Sequence, residues 1–360
     1  MLHRHNRHPA IALRAGPRCR LLIAAALALF TALSGCSTAA TTKPEAAAIS
    51  LSPAHARTLP VYRGKVGSLV SWNEILALAA AADVVILGEN HGHSIGLPWA
   101  ATFFDDLLKE APAAALALEF FERDEQTRVD DYLLGLTDEK AFTQRTGRTN
   151  AASGNYPPGH RQMVESAKAN NRPVIAANAP RTIIRYLRGK NYDDLSNLTS
   201  AQRQLFRIPE ATPQGRYRDD FDAIMTAMST ESHGTPAATA TVADAPTIVP
   251  EPNPLKLTPQ QSEKFDAKFR GQQLWDWTMA ESVTRAVELG NHPVVLVVGR
   301  FHSDFFGGTP QAIATLRPGT KILIISIVDR SSASLDDDDR DRADFVVYVG
   351  PSADDDAESK

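Results

Sequence analysis

The chain has 360 residues, 43% of them hydrophobic and 22% charged, and a formal net charge of −4. It is long enough to bury a sizeable core, too acidic to suggest a nucleic-acid partner, and its two cysteines exclude a disulfide framework.

The first residues read as an export signal. Arg14, Arg18 and Arg20 precede the apolar run Leu21 to Leu33, which is too short to span a membrane as a mature helix. Leu33-Ser34-Gly35-Cys36 follows and resembles a bacterial lipobox. The resemblance implies a signal peptide over residues 1–35, cleavage before Cys36, and acyl chains such as palmitate on that residue's sulfur and new amino group. More than one chain gives stable anchoring. Ser37 in place of Asp at the next position resembles lipoproteins sorted to the outer membrane, which implies a place there facing the periplasm. Removing residues 1–35 takes away five arginines and no acid, so 38 basic residues become 33 against 42 acidic ones and the balance falls to about −9. Cys19 leaves with the signal and Cys36 is lipidated. Any metal would therefore have to take His, Tyr or carboxylate ligands.

An Ala/Thr/Ser/Pro stretch reads as a tether over residues 36–59, and an α/β domain is expected over 60–350. Ser71-Trp72-Asn73-Glu74 has the spacing of a capping box and opens an apolar helix, Ile75 to Ala82. Four apolar runs of strand character then each stop at a polar cluster. VVIL (84–87) meets Gly88-Glu89-Asn90-His91, and ALAL (115–118) meets Glu119-Phe120-Phe121-Glu122-Arg123. PVIAA (173–177) meets Asn178-Ala179-Pro180-Arg181, and VVLVV (294–298) meets Gly299-Arg300-Phe301-His302. Such runs read as strands buried on both faces, joined by crossover helices in a mainly parallel central sheet flanked by helices.

The middle of the chain reads as an added helical subdomain. Residues 229–259 lack periodicity and are expected to form a disordered excursion. Gln272 to Ala286 then carries Leu274, Trp275, Met279 and Val283 on a core-facing helical stripe. The acidic residues after 350 read as a solvated tail, 351–360.

In an open parallel sheet, ligands bind outside the carboxyl ends of the strands. That rule gathers Glu89, His91, Glu119, Arg181, Arg300 and His302 at one rim. Each alone reads equally as a cap, a turn former or a solvated charge. Four polar clusters at four strand ends point to a site. Neither a GxGxxG turn nor a phosphate-binding loop is present, and the absence of a GxSxG elbow argues against a serine hydrolase.

VVILGENH, LALEFF, RPVIAANAPR, GQQLWDWTMAES and VVGRFHSDFFGGTP, in this order, resemble the ChaN family of haem-binding lipoproteins. The resemblance implies an α/β core related to erythromycin esterase-like proteins and a role in iron acquisition. It places Glu89, His91, Glu119, Asn178, Arg181, Gln272, Asp276 and His302 on family motif positions.

Haem needs an axial N or O ligand, apolar walls and cations for its propionates. Arg123, Arg181 and Arg300 can supply the cations, and Phe120, Phe121, Phe301, Phe305 and Phe306 the walls. Members of the family commonly carry a Tyr just before the helix that leads into the AANAPR strand. Here that place holds His160, with Tyr156 four residues earlier: either His160 replaces the Tyr, with His302 nearby, or haem binding is lost. His233 reads as a loop residue, and a homodimer is left open.

The alternative is a hydrolase of the erythromycin esterase or TIKI type. In it Glu89, His91, Glu119 and His302 activate water, or Glu89, His91 and His302 hold a divalent metal.

Overall fold

Eight short β-branched or small-residue runs assemble one sheet. The computed structural model describes residues 51–149, 155–231 and 257–351. The expected signal peptide, Cys36, His233, most of the excursion and the tail beyond Pro351 lie outside the described residues.

In chain order, α1 (Pro53–Ala56), β1 (Val61–Arg63) and β2 (Leu69–Val70) lead to α2 (Trp72–Ala80), β3 (Val84–Glu89), α3 (Gly96–Glu110) and β4 (Ala115–Glu122). Then come α4 (Gln126–Leu133), α5 (Glu139–Arg145), α6 (Pro158–Ala169), β5 (Val174–Asn178), α7 (Arg181–Leu187), α8 (Ser200–Arg203) and α9 (Tyr217–Glu231). The chain closes with α10 (Pro259–Glu288), β6 (Val294–Gly299), α11 (Gly308–Leu316), β7 (Ile322–Val328) and β8 (Phe345–Tyr348).

The strand order is β2-β1-β8-β7-β3-β6-β4-β5. From β3 to β8 every neighbouring pair is parallel, and β1, antiparallel to both β8 and β2, joins β2 to the sheet as its edge strand. The expected four strands all form, and the short strands β1, β2 and β8 join them, with β7, on one side.

Alternation along the central strands splits the core in two. Val85, Leu87, Val295 and Val297 face one way, into a core with Trp99, Phe103 and Phe104 of α3. Val84, Ile86, Val294 and Leu296 face the other, against Trp277, Met279 and Val283 of α10. Burial on both faces explains why these strands read as unbroken apolar runs.

Helix ends follow their caps. The Ser71 hydroxyl accepts from the Glu74 N–H, but the Glu74 carboxylate turns to Arg63 instead of closing the box. α10 is longer than its apolar stripe because Thr258 and Gln261 form a reciprocal cap with Pro259 in the first turn. At the start of the described chain, α1 lies inside the stretch read as a tether. Ala56 is buried there and Arg57 pairs with Asp106 of α3 at 2.7 Å.

The sheet turns back on itself at β3. The chain leaves β3 for β4 on one side, returns to β6 between them, and then crosses to β7 on the other side. The crevice above such a reversal is where open α/β sheets bind ligands. α6 packs closely on α3 at Gly159, where an added Cβ would lie 2.6 Å from Leu97 Cβ and 2.7 Å from its backbone carbon. Gly159→Ala is expected to cost about 1–3 kcal/mol by overpacking, more than the helix gains from replacing a glycine. An unchanged urea midpoint would mean that α6 and α3 do not pack this closely.

Candidate functional site

Three strand ends deliver the central groups. Glu89 closes β3 at the level of Gly299 on β6. Glu119 lies on β4 where its pairing with β5 breaks between Leu118 and Glu122, an irregularity that re-aims the side chains that follow. The chain after β6 makes a short 3-10 turn, Arg300–His302, that brings His302 back over the sheet. Two glycines permit this closeness. An added Cβ on Gly88 would strike Ser303 Oγ at 2.6 Å, and one on Gly299 would lie 3.1 Å from His91 Nε2.

The resulting cluster alternates imidazole and carboxylate. His91 Nδ1 lies 2.6 Å from Glu89 Oε1, and because a carboxylate accepts, that nitrogen carries the proton. His91 Nε2 lies 3.9 Å from Glu119 Oε1, and His302 Nε2 lies 3.7 Å from the same oxygen. The other Glu119 oxygen accepts the Gly299 N–H at 2.6 Å. His160 comes to 4.0 Å from Glu89.

Behind His302, its Nδ1 donates to Asp276 Oδ1 at 2.7 Å. Asp276 also accepts from Thr309 and from the Tyr217 hydroxyl, each at 2.7 Å. The Gln272 amide donates to that hydroxyl at 3.1 Å.

These contacts set opposite protonation preferences in one small space. Burial pushes the His302 imidazole down, but the Asp276 and Glu119 carboxylates outweigh it and hold the ring above the ordinary histidine value. Burial pushes the Glu119 carboxyl up, yet His302, His91 and the Gly299 N–H bring it below its usual range. His160 has no such support: burial lowers it to about 4, against a partial opposing pull from Glu89. Environments that drive neighbouring groups apart in this way mark acid–base sites.

Other expected site residues fall elsewhere. His160 and Tyr156 are buried at 4% and 3% exposure, His160 packed 4.7 Å from the Phe120 ring and Tyr156 stacked on it at 5.8 Å. In this arrangement neither presents a ligand atom at the surface, and His302 is likewise enclosed. Arg300 is buried and pairs with Asp329, while Arg123 is held by Glu281 at 2.8 Å. Arg181 remains at the rim, its side chain 61% exposed although tied to Glu122, and its charge is felt at Glu119.

Among the expected walls, Phe121 is in the core, Phe301 stacks on Tyr217 and Phe305 lies under Arg216 and Arg342. Phe306 lines a separate cavity, so only Phe120 flanks the cluster. Among the described residues no group of three or more His, Cys, Asp or Glu is gathered to hold a metal ion. In the expected set, Glu89 and His91 bond to each other, and the Nδ1 of His302 is taken by Asp276.

Tyr217 was not legible in the sequence, and Thr309 lies within the VVGRFHSDFFGGTP run but was not singled out there. Tyr217 begins a polar helix after an irregular stretch, with no motif around it.

His160 supplies a test of this packing. Its value falls from 6.5 to about 4 on folding, so between those values the unfolded chain binds the extra proton. Its contribution is present above pH 6.5 and about 3 kcal/mol is lost as pH falls towards 4. Urea unfolding of wild type and His160→Gln at pH 7 and 4.5 should show the smaller acid loss in the variant. Equal losses would place His160 in water.

The family described as "Haem-binding uptake, Tiki superfamily, ChaN" matches residues 75–313. Among solved structures, "Cofacial heme binding to ChaN of Campylobacter jejuni" is similar at 17% identity and TM-score 0.51, covering 80% of this chain and 96% of that one. The type III effector HopBA1 follows at 13% identity and TM-score 0.40, covering 82% and 98%. An erythromycin esterase, the EreC mutant in its open conformation, has 12% identity and TM-score 0.39, covering 81% and 83%. No curated protein matches the chain.

Proposed function

The chain belongs to the ChaN family of the Tiki superfamily, and from that premise we propose that it binds ferric haem at the carboxyl-end rim of its sheet, with His91 as the iron ligand. The observation that carries the reading is the family match joined to one placement. Within the cluster, His91 is the imidazole that reaches solvent, its side chain 29% exposed against 8% for His302 and 5% for His160.

The donors fit the group in kind. A histidine nitrogen is an adequate ligand for haem iron, and Glu89 at His91 Nδ1 fixes the orientation of the ring. Arg181 offers a guanidinium for a propionate, and Phe120 an apolar edge. When bound, haem supplies iron and a broad apolar face. The chain's own residues orient the imidazole and compensate the carboxylates.

The setting completes the reading: a lipoprotein anchored through Cys36 in the outer membrane, facing the periplasm and serving iron acquisition. The lipobox supports this. No helix among the described residues is long and apolar enough to cross a membrane.

Titrating the protein without residues 1–36 with ferric haem should give a saturable Soret shift. His91→Ala should weaken binding by tenfold or more, whereas His160→Ala should leave the shift in place. No Soret shift in wild type would remove the haem reading, and a shift lost only in His160→Ala would reassign the ligand. For the anchor, Cys36→Ala should abolish incorporation of labelled palmitate in cells, and persisting label would sink the lipoprotein assignment.

A further inference from the structure

Exposed apolar side chains gather at one end of the sheet. Val66 is 63% exposed, Leu69 65%, Leu78 38% and Phe306 46%, and Val66, Leu78 and Phe306 line one open groove of about 560 Å³. Single exposed leucines are ordinary, but several on one concave surface mark a binding face. The groove also takes in Arg63, Lys65, Asp341, Asp344 and the first residues of β7. It therefore lies at the amino ends of β7 and β8, at the opposite end of the sheet from the rim that carries His91.

The charges of the groove stand on two segments joined through one glycine. The Gly64 N–H donates to the Asp344 carbonyl at 2.9 Å, and the Gly64 carbonyl accepts from the Asp341 N–H at 3.0 Å. An added Cβ on Gly64 would lie 1.9 Å from the Ala343 carbonyl oxygen, so the approach requires glycine. One segment carries Arg63 and Lys65, the other Asp341 and Asp344. Arg63 pairs with Glu74 yet keeps 37% of its side chain exposed, and Lys65, Asp341 and Asp344 are exposed. Arg342 is held inward by Asp304 and Asp339.

Two cations beside two acids, next to an apolar wall, match a zwitterion with a hydrocarbon body. A phosphate takes guanidinium and ammonium donors. A primary ammonium brings three N–H donors to carboxylates, where a quaternary one brings none. A net-anionic surface fits less well, because the mature chain itself carries about −9.

The course of the chain brings such a lipid close. α3 starts beyond the carboxyl end of β3 and runs back towards the amino end of β4, and Arg57, just after α1, pairs with Asp106 in the last turns of α3. The described chain thus enters at the amino end of the sheet. Cys36 lies fifteen residues before Leu51, a reach of at most about 50 Å. A tether of that length keeps the groove at high effective concentration over the membrane, so a weak contact suffices.

We propose that this groove seats the headgroup of an ethanolamine phospholipid and docks the amino end of the sheet on the membrane that holds the Cys36 anchor. Arg63 and Lys65 take the phosphate, Asp341 and Asp344 take the ammonium, and Val66, Leu78 and Phe306 lie against the acyl chains. The carboxyl-end rim then faces away from the bilayer. The proposal rests on the lipoprotein reading for its membrane and is independent of haem.

The test uses the full lipidated chain carrying Val66→Cys, whose thiol stands alone once Cys19 has left with the signal and Cys36 is acylated. An NBD label there, with one at Arg181→Cys on the rim as control, is read in vesicles of phosphatidylcholine alone and of phosphatidylcholine mixed with phosphatidylethanolamine or with phosphatidylglycerol. Emission at Val66 should rise about twofold or more and shift to the blue with phosphatidylethanolamine, as the label enters the acyl boundary, and should stay unchanged at Arg181. Lys65→Glu and Asp341→Asn, made in the Val66→Cys chain, should each remove most of the rise. Asparagine suits the positive φ of 58° at position 341, so that variant changes charge without straining the turn.

The proposal is overturned by a Val66 signal no larger with phosphatidylethanolamine than with the other lipids, by an equal rise at Arg181, or by a full rise in either charge variant. Mass spectrometry of the same sample reads the anchor separately. An unacylated Cys36 removes the lipoprotein reading, and flotation of that unacylated chain with phosphatidylethanolamine vesicles alone then supports the groove, whereas no flotation overturns it.

Discussion

The Glu119 carboxylate is the constraint on which the rim depends. A carboxylate taken out of water is strongly disfavoured unless charge and hydrogen bonds replace the lost hydration. Here one oxygen receives the Gly299 N–H and the other faces two imidazoles. His302 then requires its own compensation, which Asp276 provides, and Asp276 in turn takes hydrogens from Thr309 and Tyr217. The chain of dependence runs from the strand end through α10 to the first turn of α9. Each member is compensated by the next, through a hydrogen bond or, between Glu119 and the two imidazoles, through charge at 3.7 and 3.9 Å.

A second network holds the segment that delivers His302. Arg342 pairs with Asp304 and with Asp339, each at 2.6 Å, and Ser326 on β7 donates to Asp304 at 2.7 Å. Tyr348 on β8 donates to Asp339 at 2.6 Å. These bonds tie the turn after β6 to two neighbouring strands, and the Phe305 N–H donates to the Arg342 carbonyl. Phe305 and Phe306 both adopt positive φ, 54° and 56°, a strained region for bulky residues that persists where surrounding contacts over-determine it. The position of the His302 ring is thus fixed from both sides, by Asp276 on α10 and by the Asp304–Arg342 pair.

Much of this was legible because the parallel sheet writes itself plainly. Runs such as VVIL and VVLVV have no polar interruption since both faces are covered, and the polar residue that ends each run marks the rim. From these, Glu89, His91, Glu119 and His302 could be gathered at one place without coordinates. Burial was not legible. His160 was placed just before a helix as a candidate iron ligand, but it lies within the first turn of α6 with its ring against Phe120. Arg300 and Arg123 looked like rim cations, and both are held inward by acids far away in sequence, Asp329 and Glu281. Tyr217 was invisible for the same reason: its partner Asp276 is 59 residues distant and no local pattern encodes the pairing.

The acidic Asp336 to Asp339 run makes the point from the other direction. Composition reads it as solvated loop, since isolated acids in a row repel and seek water. Asp339 is nonetheless fully buried, because Arg342 and Arg330 and the Tyr348 hydroxyl converge on it. Asp337 in the same turn stays in solvent with Arg340, its side chain 90% exposed. One run of four identical residues therefore divides between core and water, according to which cations the sheet edge brings within reach. Charge pattern locates the segment, and only long-range pairing decides the fate of each carboxylate.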